Sequence, residues 1–254
     1  MGKIIAIVNQ KGGVGKTTTA VNLCAALAKR GKQVLLVDCD PQGNATTGMG
    51  IRKTRVKSIY DVLLREVPAE DAVLATKYGS VLPSHADLAG ANVELVALDD
   101  REQLLKRRLK PLRDKYDFIL IDCPPSLELL TLNALTAADS VMIPVQTEFF
   151  ALEGVSDLMN TFRRVRERLN PTLRIDGIVM TMYDKRTKLS ADVEDALRQH
   201  FPGKVYDTPI PRNIRLSEAP SHGKPCIAYD KSSKGSRAYL HLANDFLKRQ
   251  AEGR

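Results

Sequence analysis

Two adjoining segments, Lys3-Ile4-Ile5-Ala6-Ile7-Val8-Asn9 and Lys11-Gly12-Gly13-Val14-Gly15-Lys16-Thr17-Thr18, leave this chain little freedom in how it can fold. The first is apolar and β-branched along its whole length, the pattern of a strand buried on both faces, and such a strand needs helices above and below a parallel sheet. After the second comes a helical pattern, with Val21, Cys24, Leu27 and Ala28 on one side and Gly31 as its stop. Strand, glycine-rich loop and helix in that order form an anion cradle. Glycine lets successive backbone N–H groups turn toward one centre, and the helix N-terminus adds positive potential.

The side chains of the loop say which anion. Gly12, Gly13, Val14 and Gly15 supply the cradle, Lys16 is placed to reach the β- and γ-phosphates of a nucleotide, and Thr17 can give its hydroxyl to Mg²⁺. Thr18 lies one residue deeper, toward the α-phosphate. The ordinary pattern would begin with glycine at position 10, where Gln10 stands, and Lys11 is one lysine more than the cradle needs.

Two further apolar runs end in acids. Val34 to Asp40 closes on Asp38 and Asp40, and Phe118 to Asp122 closes on Asp122. Acids at the carboxyl ends of parallel strands gather beside such a loop. Asp122 is expected to hold the Mg²⁺ shell through water, Asp40 to orient the attacking water, and Asp38 to support the metal shell or Lys16. A strand-end aspartate has another use, as the cap of a following helix, worth about 1 kcal/mol.

With 254 residues, 43% of them apolar, the chain can bury one sizeable core. The expectation is a single α/β domain, residues 1–254, built as a doubly wound and mostly parallel sheet flanked by helices. Neither a secretory signal nor a bilayer-spanning run is present, so the protein is expected in the cytoplasm. Cys24, Cys39, Cys123 and Cys226 lie far apart without a C-x-x-C pair, which disfavours a disulfide framework, a zinc site or an iron–sulfur centre.

At this point the residues resemble the ParA/Soj group of deviant Walker-A ATPases, relatives of MinD in the SIMIBI class of P-loop NTPases. Besides Lys11 to Thr18, the resemblance rests on Val37-Asp38-Cys39-Asp40-Pro41-Gln42-Gly43-Asn44, Ile121-Asp122-Cys123-Pro124-Pro125-Ser126, Ala151-Leu152-Glu153-Gly154 and the run Ile210 to Pro225. It implies that Lys11 crosses a two-fold interface to the nucleotide of a second copy, so that ATP binding and homodimer formation are one event. A lysine serving only its own chain is the alternative that position alone leaves open. The resemblance further implies adenine contacts at Pro211 and Asn213, slow hydrolysis of ATP to ADP, and stimulation by a ParB/Spo0J-type partner.

Net charge is +8, which favours polyanionic partners. Basic residues cluster at Arg52, Lys53, Arg55 and Lys57, at Arg163, Arg164, Arg166 and Arg168, and at Lys185, Arg186 and Lys188. Runs like these are often solvated faces. By resemblance, Arg186 and Arg215 bind double-stranded DNA without sequence preference in the ATP dimer, which would place the protein on the nucleoid. The absence of interleaved aromatics points to backbone contacts.

Two other uses of the same machinery remain. A MinD-like ATPase would act at a membrane surface through an amphipathic C-terminal helix. Tyr239, Leu240, Leu242, Ala243, Phe246 and Leu247 could form such a face, although docking on the core is the expectation, with no membrane contact. An orphan relative would position some other cargo.

Overall fold

The computed structural model of the protein describes residues 1–54, 56–148 and 151–253, without the side chain of Glu153. Arg55, one of the basic cluster after the second strand, lies outside the described residues. The strands are β1 (Lys3–Ile7), β2 (Val34–Asp38), β3 (Leu74–Thr76), β4 (Gly79–Leu82), β5 (Phe118–Asp122), β6 (Ser140–Gln146) and β7 (Arg174–Thr181). Among the described residues they form one sheet in the order β3-β4-β2-β5-β1-β6-β7, parallel throughout except for β3 against β4.

Between and after the strands run α1 (Lys16–Ala28), α2 (Asn44–Gly48), α3 (Ile59–Leu64), α4 (Ala69–Ala72), α5 (Leu88–Glu94), α6 (Leu104–Leu109), α7 (Leu129–Ala137), α8 (Ala151–Arg168), α9 (Lys188–His200), α10 (Ile214–Glu218), α11 (Cys226–Tyr229) and α12 (Lys234–Ala251). Successive strand residues divide between two cores because side chains alternate across a sheet. Ile4, Ala6, Leu35, Val37, Ile119 and Ile121 face the core under α3 to α9. Ile5, Ile7, Val34, Leu36, Phe118 and Leu120 face the core under α1, α2 and α10 to α12. This two-sided covering is the doubly wound architecture that the apolar runs predict.

The C-terminal helix is docked. Tyr239, Leu242, Ala243 and Phe246 are at most 1% exposed, Phe246 meets Phe118 edge-on at 5.0 Å, and the Tyr239 hydroxyl lies 3.1 Å from that of Thr19 on α1. Peeling this face away would forfeit on the order of 5 kcal/mol of burial. No helix among the described residues is long and apolar enough to cross a membrane. All four cysteines are buried and free.

One segment beside β7 falls short of a strand. Residues 205–210 run beside β7 and bond to it through Tyr206 N–H to the Ile178 carbonyl (2.9 Å) and Ile210 N–H to the Met180 carbonyl (2.8 Å), yet they make only isolated bridges at Val205 and Pro211. Pro209 and Pro211 have no N–H to give to a ladder, which breaks the pairing.

Candidate nucleotide site

β1 lies between β5 and β6, and the loop that follows it opens at the carboxyl end of the sheet. Asn9, 3% exposed, starts the loop: its amide donates to the Pro144 carbonyl (2.8 Å) and its side-chain oxygen accepts the Lys11 N–H (3.0 Å). At the other end the Thr181 hydroxyl donates to the Val14 carbonyl (2.8 Å). Gly13 and Gly15 take φ of +75° and +89°, a region in which side chains with a Cβ are strained. A Cβ at Gly12 or Gly13 would meet nothing within 4 Å. That open space leaves room for an anion.

Helix α1 begins directly on Gly15 with no side-chain cap and no acid in its first turn. Its first N–H groups are therefore left to a ligand. Lys16, 7% exposed, points its ammonium back into the loop, 3.0 Å from the Lys11 carbonyl. Burial pulls the Lys16 pKa down, while Asp122, Cys123 and Asp40 act in the opposite direction. A polyphosphate at the loop would supply the negative charge that this buried ammonium lacks.

The acids occupy three different environments. Asp38 and Asp122 are register partners on neighbouring strands, and both are fully buried. Asp38 accepts the Thr46 N–H (2.7 Å), the Thr46 hydroxyl (2.6 Å) and the Asp40 N–H (3.3 Å), so its carboxylate anchors α2 and the loop leading to it. Burial nevertheless pushes its pKa up to about 6. These bonds match the helix-anchoring alternative for a strand-end aspartate. Through these bonds Asp38 supports the Asp40 loop, with Thr46 bringing it two donors.

Neither oxygen of Asp122 has a hydrogen-bond partner. Burial raises its pKa well above the carboxylate range, Asp38 raises it further, and the adjacent Thr17 hydroxyl acts in the other direction without reaching bonding geometry. A buried carboxylate without a donor is costly unless a cation or a proton meets it. Among the described residues no three His, Cys, Asp or Glu side chains form a cage for a metal. Thr17 and Asp122 thus suit a hard cation that keeps several waters and takes phosphate oxygens as ligands, the habit of Mg²⁺. Asp40, 9% exposed, accepts the Gln42 N–H at 2.9 Å and stands within electrostatic reach of Lys16.

Beside the loop is a cavity of about 290 Å³ lined in part by Gly15, Thr18, Met182, Pro211, Asn213 and Tyr239. Pro211 and Asn213 thus line a cavity together with Gly15 and Thr18 of the loop and α1. Asn213 spends part of its capacity on the chain: its side-chain oxygen accepts the Arg215 N–H (3.1 Å) and caps α10, leaving its amide donors.

Lys11 points elsewhere. Its ammonium forms an ion pair with the Glu148 carboxylate in the loop after β6, and both side chains are about one-third exposed. Sequence reasoning did not find Glu148, Asn9 or Thr181, because their roles depend on strands distant in the chain. Only Asn9, two residues before the amide it binds, left a local signal.

Several of the basic residues are engaged within the chain. Arg186, 83% exposed, forks onto Asp184 (2.9 and 2.6 Å) and holds that carboxyl well below its ordinary range. Arg215 pairs with Glu218 (2.8 Å) and Asp230 (3.4 Å). Lys53 donates to the Gln42 carbonyl, and Lys57 pairs with Asp71 at 3.6 Å.

A family model described as an AAA domain matches residues 2–175. The chain is 57% identical to the sporulation initiation inhibitor protein Soj of Bacillus subtilis over 96% of this chain and 98% of that protein. It is 52% identical to the chromosome partitioning protein ParA of Caulobacter vibrioides over 98% of this chain and 96% of the relative. Among solved structures, cobyrinic acid a,c-diamide synthase from Mycobacterium smegmatis with bound ATP analog and magnesium superposes with a TM-score of 0.87 at 39% identity, covering 100% of this chain and 98% of that one.

Proposed function

Since this chain belongs to the Soj/ParA family of chromosome-partitioning ATPases, we propose that it is a magnesium-dependent ATPase acting as a partitioning switch. Bound ATP joins two copies, the pair holds double-stranded DNA without sequence preference, and hydrolysis stimulated by a ParB/Spo0J-type partner releases it. The higher identity to Soj and ParA, 57% and 52%, favours this activity over that of the 39% identical synthase.

The division of labour between two lysines carries this conclusion. Lys16 is turned into the loop, whereas Lys11 contributes only its carbonyl there and sends its ammonium to Glu148. The cradle is complete without the Lys11 side chain, which is free to serve a second copy once Glu148 releases it. Hydrogen bonds to charged groups contribute about 1.5–3 kcal/mol. Two-fold symmetry supplies the contact twice, roughly 3–6 kcal/mol or two to four orders of magnitude in dimer affinity.

Within each site the residues take separate tasks. Gly12 to Gly15 and the first turn of α1 hold phosphate through backbone N–H groups, with Lys16 on the β- and γ-oxygens and Thr18 toward the α-phosphate. Thr17 and Asp122 hold Mg²⁺, which when bound neutralises charge on the transferring phosphoryl group. Asp38 fixes the loop from which Asp40 orients water, and Pro211 and Asn213 line the base pocket. Arg186 and Arg215 exchange their carboxylate partners for DNA phosphates, and pairing two copies doubles the contacts, to a log–log salt slope of about −3.6 for four.

The cytoplasmic nucleoid is then the working location. A membrane role would need the apolar face of α12, which is buried in the core. The test is anisotropy of a labelled random-sequence duplex titrated with protein, ATP and Mg²⁺. Binding that requires ATP, and weakens about tenfold or more in Arg186→Ala or Arg215→Ala while the dimer persists, is expected. DNA binding indifferent to nucleotide would refute the switch.

A further inference from the structure

The C-terminal half of α8 has no part in the site described so far, and it stands at the other end of the sheet. Helices α8 and α9 follow β6 and β7 and run back from the carboxyl ends of those strands, so their last turns lie at the amino end, away from the nucleotide cradle. The 13 residues of α9 put Phe201, just past its end, roughly 20 Å from Arg186, just before its start.

Between these helix ends and β7 is a groove of about 610 Å³ whose apolar lining is Met159, Phe162, Pro171, Ile175 and Phe201. Val155, Leu158, Phe162 and Val165 bury the inner face of α8. Met159, Ile175 and Phe201, in contrast, are half-buried at the margin of the core. Three large apolar side chains thus meet solvent over one concavity, a feature that partners cover.

Charge marks the same corner. Residues 163–168 carry Arg163, Arg164, Arg166 and Arg168 against Glu167 alone. Arginines elsewhere meet carboxylates, as Arg198 does with Glu194 and Asp207. The four on α8 are exposed, and none has an ion pair among the described residues. Arg163 and Arg166, three apart and so on one side of the helix, line the groove, where Glu167 is the single acid. The Arg166 guanidinium lies over the Phe162 ring, 5.9 Å from its centroid, which sets a cation directly against the apolar floor.

This combination selects its occupant. A cationic segment would be repelled. Duplex DNA offers phosphates to the arginines but nothing apolar to Met159, Ile175 and Phe201, and a bilayer is entered by an apolar face that projects, whereas this one is recessed. Carboxylates accept arginine's donors in a fork, so an acidic segment with apolar side chains is the complement on both counts.

We propose that the groove formed by the C-terminal half of α8, the start of β7 and Phe201 docks an acidic, amphipathic segment of a partner protein, its carboxylates on Arg163 and Arg166 and its apolar side chains on Met159, Phe162, Ile175 and Phe201. The groove is a tether. It leaves the cradle, Lys11 and Arg186 uncovered, and it rests on no part of the switch function.

The test uses a labelled peptide of leucine and glutamate at helical spacing, with a leucine–lysine peptide of the same pattern as control. Each is titrated into nucleotide-free protein by fluorescence anisotropy, and backbone hydrogen exchange locates the contact. Expected are binding of the acidic peptide with protection at 159–167, no protection there by the cationic one, and affinity at least tenfold weaker in Arg163→Ala/Arg166→Ala. Arg163→Glu/Arg166→Glu should lose the acidic peptide and gain the cationic one, an exchange of preference that a loosened helix would not give. Met159→Ser should weaken the acidic peptide with both arginines in place. Random-sequence duplex and phosphatidylglycerol vesicles are tried as rivals. Equal affinity in the arginine variants, protection confined elsewhere, or protection of 159–167 by duplex or vesicles with displacement of the peptide would each overturn the proposal.

Discussion

Replacing Glu148 by glutamine removes the charge that holds Lys11 in its own chain. The two side chains keep 38% and 32% of their surface, so the pair lies in the solvent-screened regime and contributes at most about 1 kcal/mol. Dimer formation must break it twice, and removing it therefore favours the dimer by up to about 2 kcal/mol, roughly thirtyfold. The Lys16 contacts are untouched, so monomer affinity for nucleotide should not change. Sedimentation velocity with a non-hydrolysable ATP analogue measures the effect: Glu148→Gln should dimerise at protein concentrations three- to thirtyfold lower than the native chain. The gap should narrow as salt screens the native pair. A weaker dimer in Glu148→Gln would refute the restraint and make Glu148 part of the interface instead.

Asp38 and Asp122 give a pH dependence with a definite sign. Burial raises both carboxyl groups, Asp38 to about 6, so the nucleotide-free protein retains protons that a cation must displace. Mg-ATP affinity should accordingly rise between about pH 5.5 and 7 with net proton release, which calorimetry in two buffers of different ionisation enthalpy would detect; proton uptake would contradict it. The same raised values mean that folding stability from these groups is present at low pH and lost as pH climbs toward 6. Asn22→Ala leaves the buried Cys226 N–H without the acceptor it has at 2.7 Å, a loss of about 2 kcal/mol. For a chain of this size that lowers the melting temperature by roughly 4–8 °C. Asp40→Ala should bind ATP and remain dimeric for hours on gel filtration, where native protein with Mg²⁺ returns to monomer.

What could be read from the sequence was whatever depends on neighbours in the chain. The apolar run before Lys11, the glycines at 13 and 15 and the acids at strand ends obey local rules of periodicity and backbone freedom, and they led to a doubly wound sheet and a nucleotide cradle. The residues that brace the cradle are tertiary. Thr181 reaches Val14 across 167 positions and Glu148 reaches Lys11 across 137, and no local pattern announces either. Asp38 was legible as a strand-end acid, but its engagement with Thr46 depends on where α2 returns. Likewise, Val205 to Ile210 has strand composition, and Pro209 with Pro211 interrupts its ladder to β7.

Lys11→Ala offers the most direct test. With a fluorescent ATP analogue and sedimentation velocity in the same samples, the account predicts monomer nucleotide affinity within a few-fold of native and loss of the ATP-dependent dimer by at least a hundredfold in concentration. A Lys11→Ala protein that dimerises with ATP as the native chain does would contradict the division of labour between Lys11 and Lys16.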